Sequence, residues 1–137
     1  MNELSLHILD ICQNSIKANA TLIKIIIDEN TFLNQYKITI EDNGYGMSKK
    51  TLSSVADPFF TTRLTRKVGL GISLFKMAAE MTEGSFSIES EENVGTRIVT
   101  NFNHDHIDRA PLGDIEETMS ILILNENNID IYYEHTY

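Results

Sequence analysis

The sequence predicts an α/β (α+β) domain, and three observations predict it. Residues 36–42 alternate apolar and polar at period two, the mark of a half-buried strand. The stretch Asn43-Gly44-Tyr45-Gly46-Met47 then runs into Ser48-Lys49-Lys50-Thr51-Leu52, an N-capped helical turn rather than a return strand. Helical spacings at 3–18 and 69–84 are each followed by a strand pattern. Asn-Gly between strands most often makes a hairpin turn, but a loop that leaves a strand and enters a helix is where α/β proteins build ligand sites.

The chain has 137 residues, enough for one domain with an ordinary core, and its 42% hydrophobic and 23% charged content is that of a globular protein. No apolar run reaches bilayer length, and the N-terminus lacks a signal-peptide pattern. The single cysteine, Cys12, rules out an internal disulfide and fits a reducing compartment, so a cytoplasmic location is expected. A net charge of −9 argues against nucleic acid and anionic membrane as partners. A polyanionic ligand must instead meet a local cluster of cations.

In the first helix, residues 3–18, Leu4, Ile8, Ile11 and Ser15 recur at helical spacing, and Cys12 and Ile16 widen that stripe. His7, Asp10, Asn14 and Lys17 make a second, polar stripe on one side. It reads either as a solvated face with a His7–Asp10 or Asp10–Asn14 contact, or as a site. As a site, Asn14 ligates a metal through its amide oxygen, Asp10 orients or deprotonates a water, and Lys17 meets a phosphate.

Asn19-Ala20 ends that helix, and residues 22–28 form a β-branched strand. Residues 29–35 are a polar turn. In the second strand Tyr36, Ile38 and Ile40 share a face, and so does Asp42. A carboxylate closing an apolar row needs a partner. Either the turn supplies it, because Asp often bonds backbone two residues on, or a ligand N–H does, such as a purine amino group. Gly44 and Gly46 let backbone approach a bound molecule closely. A helix at 48–55 ends before Asp57-Pro58. Arg63, Arg66 and Lys67 are the local basic cluster, an exposed loop or a phosphate-neutralising one. Gly69-Leu70-Gly71 opens the next helix, whose N-terminal N–H groups suit an anion. Leu70, Leu74, Met77, Ala78 and Met81 are its expected buried stripe and Gly84 its stop. Strands at 85–90 and 96–102 follow, joined by a turn.

Beyond residue 104, Pro111-Leu112-Gly113-Asp114 caps a helix at about 114–124, residues 125–128 turn, and 129–133 read as a last strand. The organisation expected is a domain at 1–103 and an extension at 104–137 packed on the same domain or on a neighbouring subunit. His104 and His106 lack an obvious third metal ligand and read as a polar linker. His7 is expected at the site or on the surface.

Taken together, Asp10-x-x-x-Asn14, Asp42-x-Gly44-x-Gly46, Pro58-Phe59-Phe60-Thr61-Thr62, Gly69-Leu70-Gly71 and Gly95-Thr96 resemble, in order, the boxes of the GHKL (Bergerat-fold) ATPases. That superfamily includes gyrase B, the heat-shock chaperone, sensor histidine kinases and MutL. Asn14-Ser15 with Ala18-Asn19-Ala20-Thr21 looks like MutL, whereas residues 58–63 look like the histidine kinases. The resemblance covers about residues 3–103.

The resemblance implies a two-layer sandwich, helices on one face of a mixed, mostly antiparallel sheet, with ATP between the layers. Asp42 would bind the adenine amino group and Thr96 would support the base. Gly44, Gly46 and Met47 would shape the adenine side. Asn14 would hold Mg²⁺ and Lys17 would contact phosphates. Gly69, Leu70 and Gly71 would offer backbone N–H groups. Residues 61–68 would be a lid with Arg63, Arg66 and Lys67 as phosphate contacts. The chain departs from the pattern at three places. Asp10 stands where gyrase and MutL carry a catalytic glutamate, the lid is short, and the second glycine box lacks its leading glycine. The expected function is a Mg-ATP-binding module, stand-alone, that regulates a protein partner through ATP/ADP state or phosphorylation. The alternatives are a serine or histidine protein kinase of anti-sigma-factor type and a MutL-like hydrolase, with Asp10 as general base. A homodimer is left open.

Overall fold

A computed structural model describes residues 3–55, 70–106, 108–125 and 129–137. The elements run α1 (Leu4–Lys17), β1 (Leu22–Asn30), β2 (Gln35–Asp42), α2 (Lys49–Val55), α3 (Leu70–Met81), β3 (Ser85–Glu91), β4 (Gly95–Asn103), α4 (Ile115–Asn125) and β5 (Asp130–Thr136). The strands form one sheet in the order β3-β4-β2-β1-β5, antiparallel except for the parallel β1–β5 pair. The α+β sandwich with a mixed, mostly antiparallel sheet is therefore the fold of this chain.

Alternation decides which side of the sheet is covered. Ile23, Ile25 and Ile27 of β1, Tyr36, Ile38 and Ile40 of β2, and Ile98 and Phe102 of β4 are buried. They meet Leu4, Ile8 and Ile11 of α1, Ile72, Phe75 and Ala79 of α3, and Leu122 of α4 in a single apolar cluster. Burying a side chain of this size stabilises by roughly 2 kcal/mol, so these residues outweigh the weak intrinsic preferences of short helices. The opposite face carries Lys24, Glu41, Arg97 and Glu89 side by side across four strands.

The helix N-termini are satisfied differently. Ser48 caps α2, its Oγ accepting from Thr51 N–H at 3.2 Å. At α1 the preceding residue, Glu3, makes no side-chain cap. Instead Leu4 and Ser5 donate their N–H groups to the carbonyls of Pro111 and Leu112, each at 2.8 Å. The segment before α4 thus closes the start of α1, while β5 lies along the edge of β1.

Two expectations for α3 are corrected. Its buried side is Ile72, Phe75 and Ala79, whereas Met77 and Met81 are exposed. Both stripes have helical spacing, so periodicity cannot choose between them. The chosen side puts Phe75 against Phe102 and sets Gly71 and Ala79 where backbones come close. Gly84 is not the left-handed stop either. Glu83 takes that conformation, with φ 61°, and Gly84 N–H returns to the Ala79 carbonyl at 3.0 Å. Gly84 serves a close approach, since a Cβ there would run into the Asn101 carbonyl.

Candidate nucleotide site

On the covered face of the sheet, each register row crosses several strands. The row Ile25–Ile40–Ile98–Ile88 is apolar, but the next, toward the C-terminal end of β2, reads Ile23–Asp42–Thr96–Ser90. The core therefore gives way to a polar shelf in one step along the strands. Asp42 and Thr96 sit directly opposite each other and share that face. Ser90, which the sequence reading passed over, completes the shelf, its Oγ 2.8 Å from Thr96 Oγ1 and 2.8 Å from the Met47 N–H it accepts.

The half-buried Asp42 carboxylate accepts from Gly44 N–H at 2.9 Å through Oδ1 and from the Ser15 hydroxyl at 2.6 Å through Oδ2. The turn bond two residues on is the one its residue type favours. The Ser15 bond crosses from α1 and was not read from the sequence, where Ser15 belonged to the core stripe. Both donors are neutral, so the negative charge of Asp42 is not cancelled by either. The buried Cys12 thiol lies close enough that burial, and then the Asp42 charge, push its pKa well up.

The loop after β2 is fixed from three sides. Asn43 Oδ1 accepts from Thr21 and Leu22 N–H at 2.8 and 2.9 Å. Tyr45 donates its N–H to the Ala18 carbonyl at 2.9 Å and accepts from Asn93 N–H at 2.7 Å. Gly44 is buried against α1, and a Cβ there would come within 2.7 Å of the Ala18 carbonyl oxygen. Gly46 has φ 69° and faces the Glu91 carbonyl, a place where L side chains are strained. The loop then enters α2, so the hairpin alternative for Asn43-Gly44 does not occur.

Asp10, Asn14 and Lys17 stand one turn apart on α1, partly buried, partly buried and exposed in turn. Burial pushes the Asp10 carboxyl above its ordinary value. Leu70 and Gly71 begin α3, and a Cβ on Gly71 would lie 2.8 Å from Asp10 Cβ, so the start of α3 touches α1 at Asp10. Among the described residues nothing hydrogen-bonds to the Asn14 amide or the Lys17 amine. Gly69, Arg63, Arg66 and Lys67, with the lid at 61–68 and residues 58–62, lie outside the described residues.

His7 does not belong to this polar side. It is 4% exposed, beneath α3, with its ring 5.7 Å from Phe75 and Nδ1 without a hydrogen bond among the described residues. The surface and site-lining readings of His7 are both corrected, and burial lowers its pKa. His104 is not a loose linker residue either, since its Nε2 is 2.8 Å from Glu29 Oε1. A 570 Å³ concavity is lined by Lys24, Glu41, Glu89 and Arg97 of the open face together with Asp42, Ser90 and Thr96 of the shelf. Asn14, Lys17 and Gly71 do not line it, so the polar side of α1 lies outside this concavity.

Residues 2–106 match the family described as histidine kinase-, DNA gyrase B-, and HSP90-like ATPase. The chain belongs to that family. A putative sensor protein of Shewanella frigidimarina is 36% identical over 66% of this chain and 14% of its own length. A probable C4-dicarboxylate sensor kinase of Halalkalibacterium halodurans is 34% identical over 64% of this chain and 16% of its own length. The heme sensor protein HssS of Staphylococcus saprophyticus is 29% identical over 74% of this chain and 23% of its own length. The chain thus spans less than a quarter of each of these relatives. As a histidine kinase-like ATPase domain it is an ATP-binding domain of the kinase type. No helix among its described residues is long and apolar enough to cross a membrane.

Proposed function

We propose that this chain binds Mg-ATP with the adenine amino group on Asp42, and that nucleotide state or phosphoryl transfer acts on a protein partner. The observation that carries the reading is Asp42, a carboxylate at the edge of an apolar core, held by two neutral donors and beside Thr96. Such a group is an acceptor with its charge intact, suited to an N–H donor that arrives between apolar walls. Thr96 supports the base, with Gly44, Gly46 and Met47 shaping that side of the pocket. Backbone N–H groups at Gly69, Leu70 and Gly71, together with Lys17, Arg63 and Lys67, meet the phosphates.

Magnesium fits this donor set. It takes oxygen ligands and is usually held by one or two protein groups plus phosphate and water. The Asn14 amide has no partner among the described residues, and no cluster of three His, Cys, Asp or Glu there forms a full protein cage. Asn14 would hold the ion, which would neutralise phosphate charge.

Transfer to a partner is favoured by the sensor-kinase relatives. Hydrolysis is the second reading, favoured by Asp10, whose raised pKa suits a general base one turn from Asn14. ATP as the ligand fits a cytoplasmic setting, and residues 104–137 are read as an extension of the ATP-binding domain. The test is calorimetric titration with ATP and Mg²⁺, followed by incubation with γ-labelled ATP alone and with cell extract. Binding with label on an extract protein supports transfer, and free phosphate supports hydrolysis. Binding with neither supports a nucleotide-sensing module, and no binding overturns the proposal.

A further inference from the structure

We propose that Ser15 is a specificity-determining residue: by fixing the Asp42 carboxylate from α1, it makes the site select adenine over guanine nucleotides. The inference rests on the reading of Asp42 as the purine acceptor and adds a second residue that sets what Asp42 can accept.

Each Asp42 oxygen is held by a different element. Gly44 N–H, in the loop, reaches Oδ1 at 2.9 Å, and the Ser15 hydroxyl, on α1, reaches Oδ2 at 2.6 Å. A hydroxyl has one hydrogen to donate. Among the described residues the other acceptor it meets, the Ile11 carbonyl, is 3.3 Å away, so the hydrogen goes to Asp42. Ser15 is 3% exposed, and its neighbour Cys12 is fully buried, so no water replaces this donor easily. With both oxygens tied, the carboxylate cannot turn about its Cβ–Cγ bond.

That restriction matters because the two purines present different edges. Adenine offers a 6-amino donor beside an acceptor nitrogen. Guanine offers two adjacent donors, N1–H and the 2-amino group, which a free carboxylate meets by turning both oxygens toward them. A carboxylate fixed by Ser15 and Gly44 keeps one orientation and suits a single donor. Without Ser15 it regains the rotation that guanine needs. Ser15 touches neither base nor phosphate in this account and acts as a positioning residue through Asp42.

The experiment is displacement of a fluorescent ADP analogue by ADP and by GDP, on the wild-type chain, Ser15→Ala, Ser15→Cys and Asp42→Asn. Ser15→Ala is expected to weaken ADP by about tenfold while GDP holds or tightens, so that the ADP/GDP preference falls by at least that factor. Ser15→Cys, which keeps a weak donor of similar shape, falls between. An unchanged ADP/GDP ratio in a Ser15→Ala protein that melts like wild type overturns the proposal, whether both affinities drop or neither does. If Asp42→Asn leaves ADP binding intact, the adenine reading itself fails. If Asp42→Asn loses ADP and Ser15→Ala keeps the ratio, only the role of Ser15 fails.

Discussion

Two carboxylates close the two ends of the same buried face. Asp42 ends the covered row of β2, and Glu29, on the same face of β1, stands at the far end beside Tyr36. Asp42 is held by a hydroxyl and a backbone N–H. Glu29 is held by two imidazoles, His104 Nε2 at 2.8 Å on Oε1 and His135 Nε2 at 2.6 Å on Oε2. Since a carboxylate only accepts, both rings donate. His104 follows β4 and His135 lies on β5, so Glu29 ties the last strand and the end of β4 to β1. Arg109, stacked 4.6 Å over Tyr36, adds a cation to that end. One carboxylate is surrounded by cationic or ring N–H groups from its own chain, and the other is oriented but left with its charge. The difference teaches where a ligand is to be sought: at the end the protein orients without neutralising.

The largest effect expected is on binding. Asp42→Asn removes the charge and replaces one accepting oxygen with an N–H donor, and should lower ATP affinity by about 100-fold or more, near 3 kcal/mol, with about 1 kcal/mol lost in urea unfolding. Glu29→Ala should do the reverse. It strands two ring donors and should cost about 2–3 kcal/mol of stability while leaving nucleotide affinity within about twofold. An affinity loss in Glu29→Ala matching that of Asp42→Asn would break the contrast.

A pH series sharpens it. Burial alone pushes the Glu29 carboxyl up, but the bonds from His104 and His135 outweigh this and its pKa lies below the ordinary value. A carboxyl with a depressed folded pKa stabilises fully above its unfolded value and loses that contribution as pH falls through the folded one. Urea-unfolding curves of wild type and Glu29→Gln should therefore differ at neutral pH and converge in acid below about 4. His7 acts one step higher. Its folded pKa is lowered by burial, so stability should begin to fall as pH drops below the unfolded value of 6.5. His7→Leu should flatten the curve there, and an unchanged slope would remove His7 from the account. The smallest effect is at the shelf: Ser90→Ala frees the Met47 N–H and Thr96, and should weaken ATP by about threefold with about 1 kcal/mol of stability lost.

Much of this contrast is visible in the residues alone, and part of it is not. Period-two alternation is local, so the face shared by Tyr36, Ile38, Ile40 and Asp42 follows from the residues alone. The β2-to-helix loop follows too, because Ser48 is a cap residue and no return strand comes after Gly46. Which side of α3 is buried does not follow. Leu70, Leu74, Met77 and Met81 make as regular a stripe as Ile72, Phe75 and Ala79, and the choice was made by how near Gly71 and Ala79 let the helix come. The partners of Asp42 and Glu29 are likewise matters of tertiary contact. Ser15 lies 27 residues from Asp42 and His135 lies 106 from Glu29. His7 belongs to the polar stripe by spacing, yet it is buried with its ring against Phe75 of α3.

The most direct measurement is a calorimetric titration of ATP with Mg²⁺ at neutral pH into wild type, Asp42→Asn and Glu29→Gln side by side. Saturable binding is expected in wild type and Glu29→Gln and none at the same concentrations in Asp42→Asn. Equal affinity in wild type and Asp42→Asn would contradict the role given to Asp42.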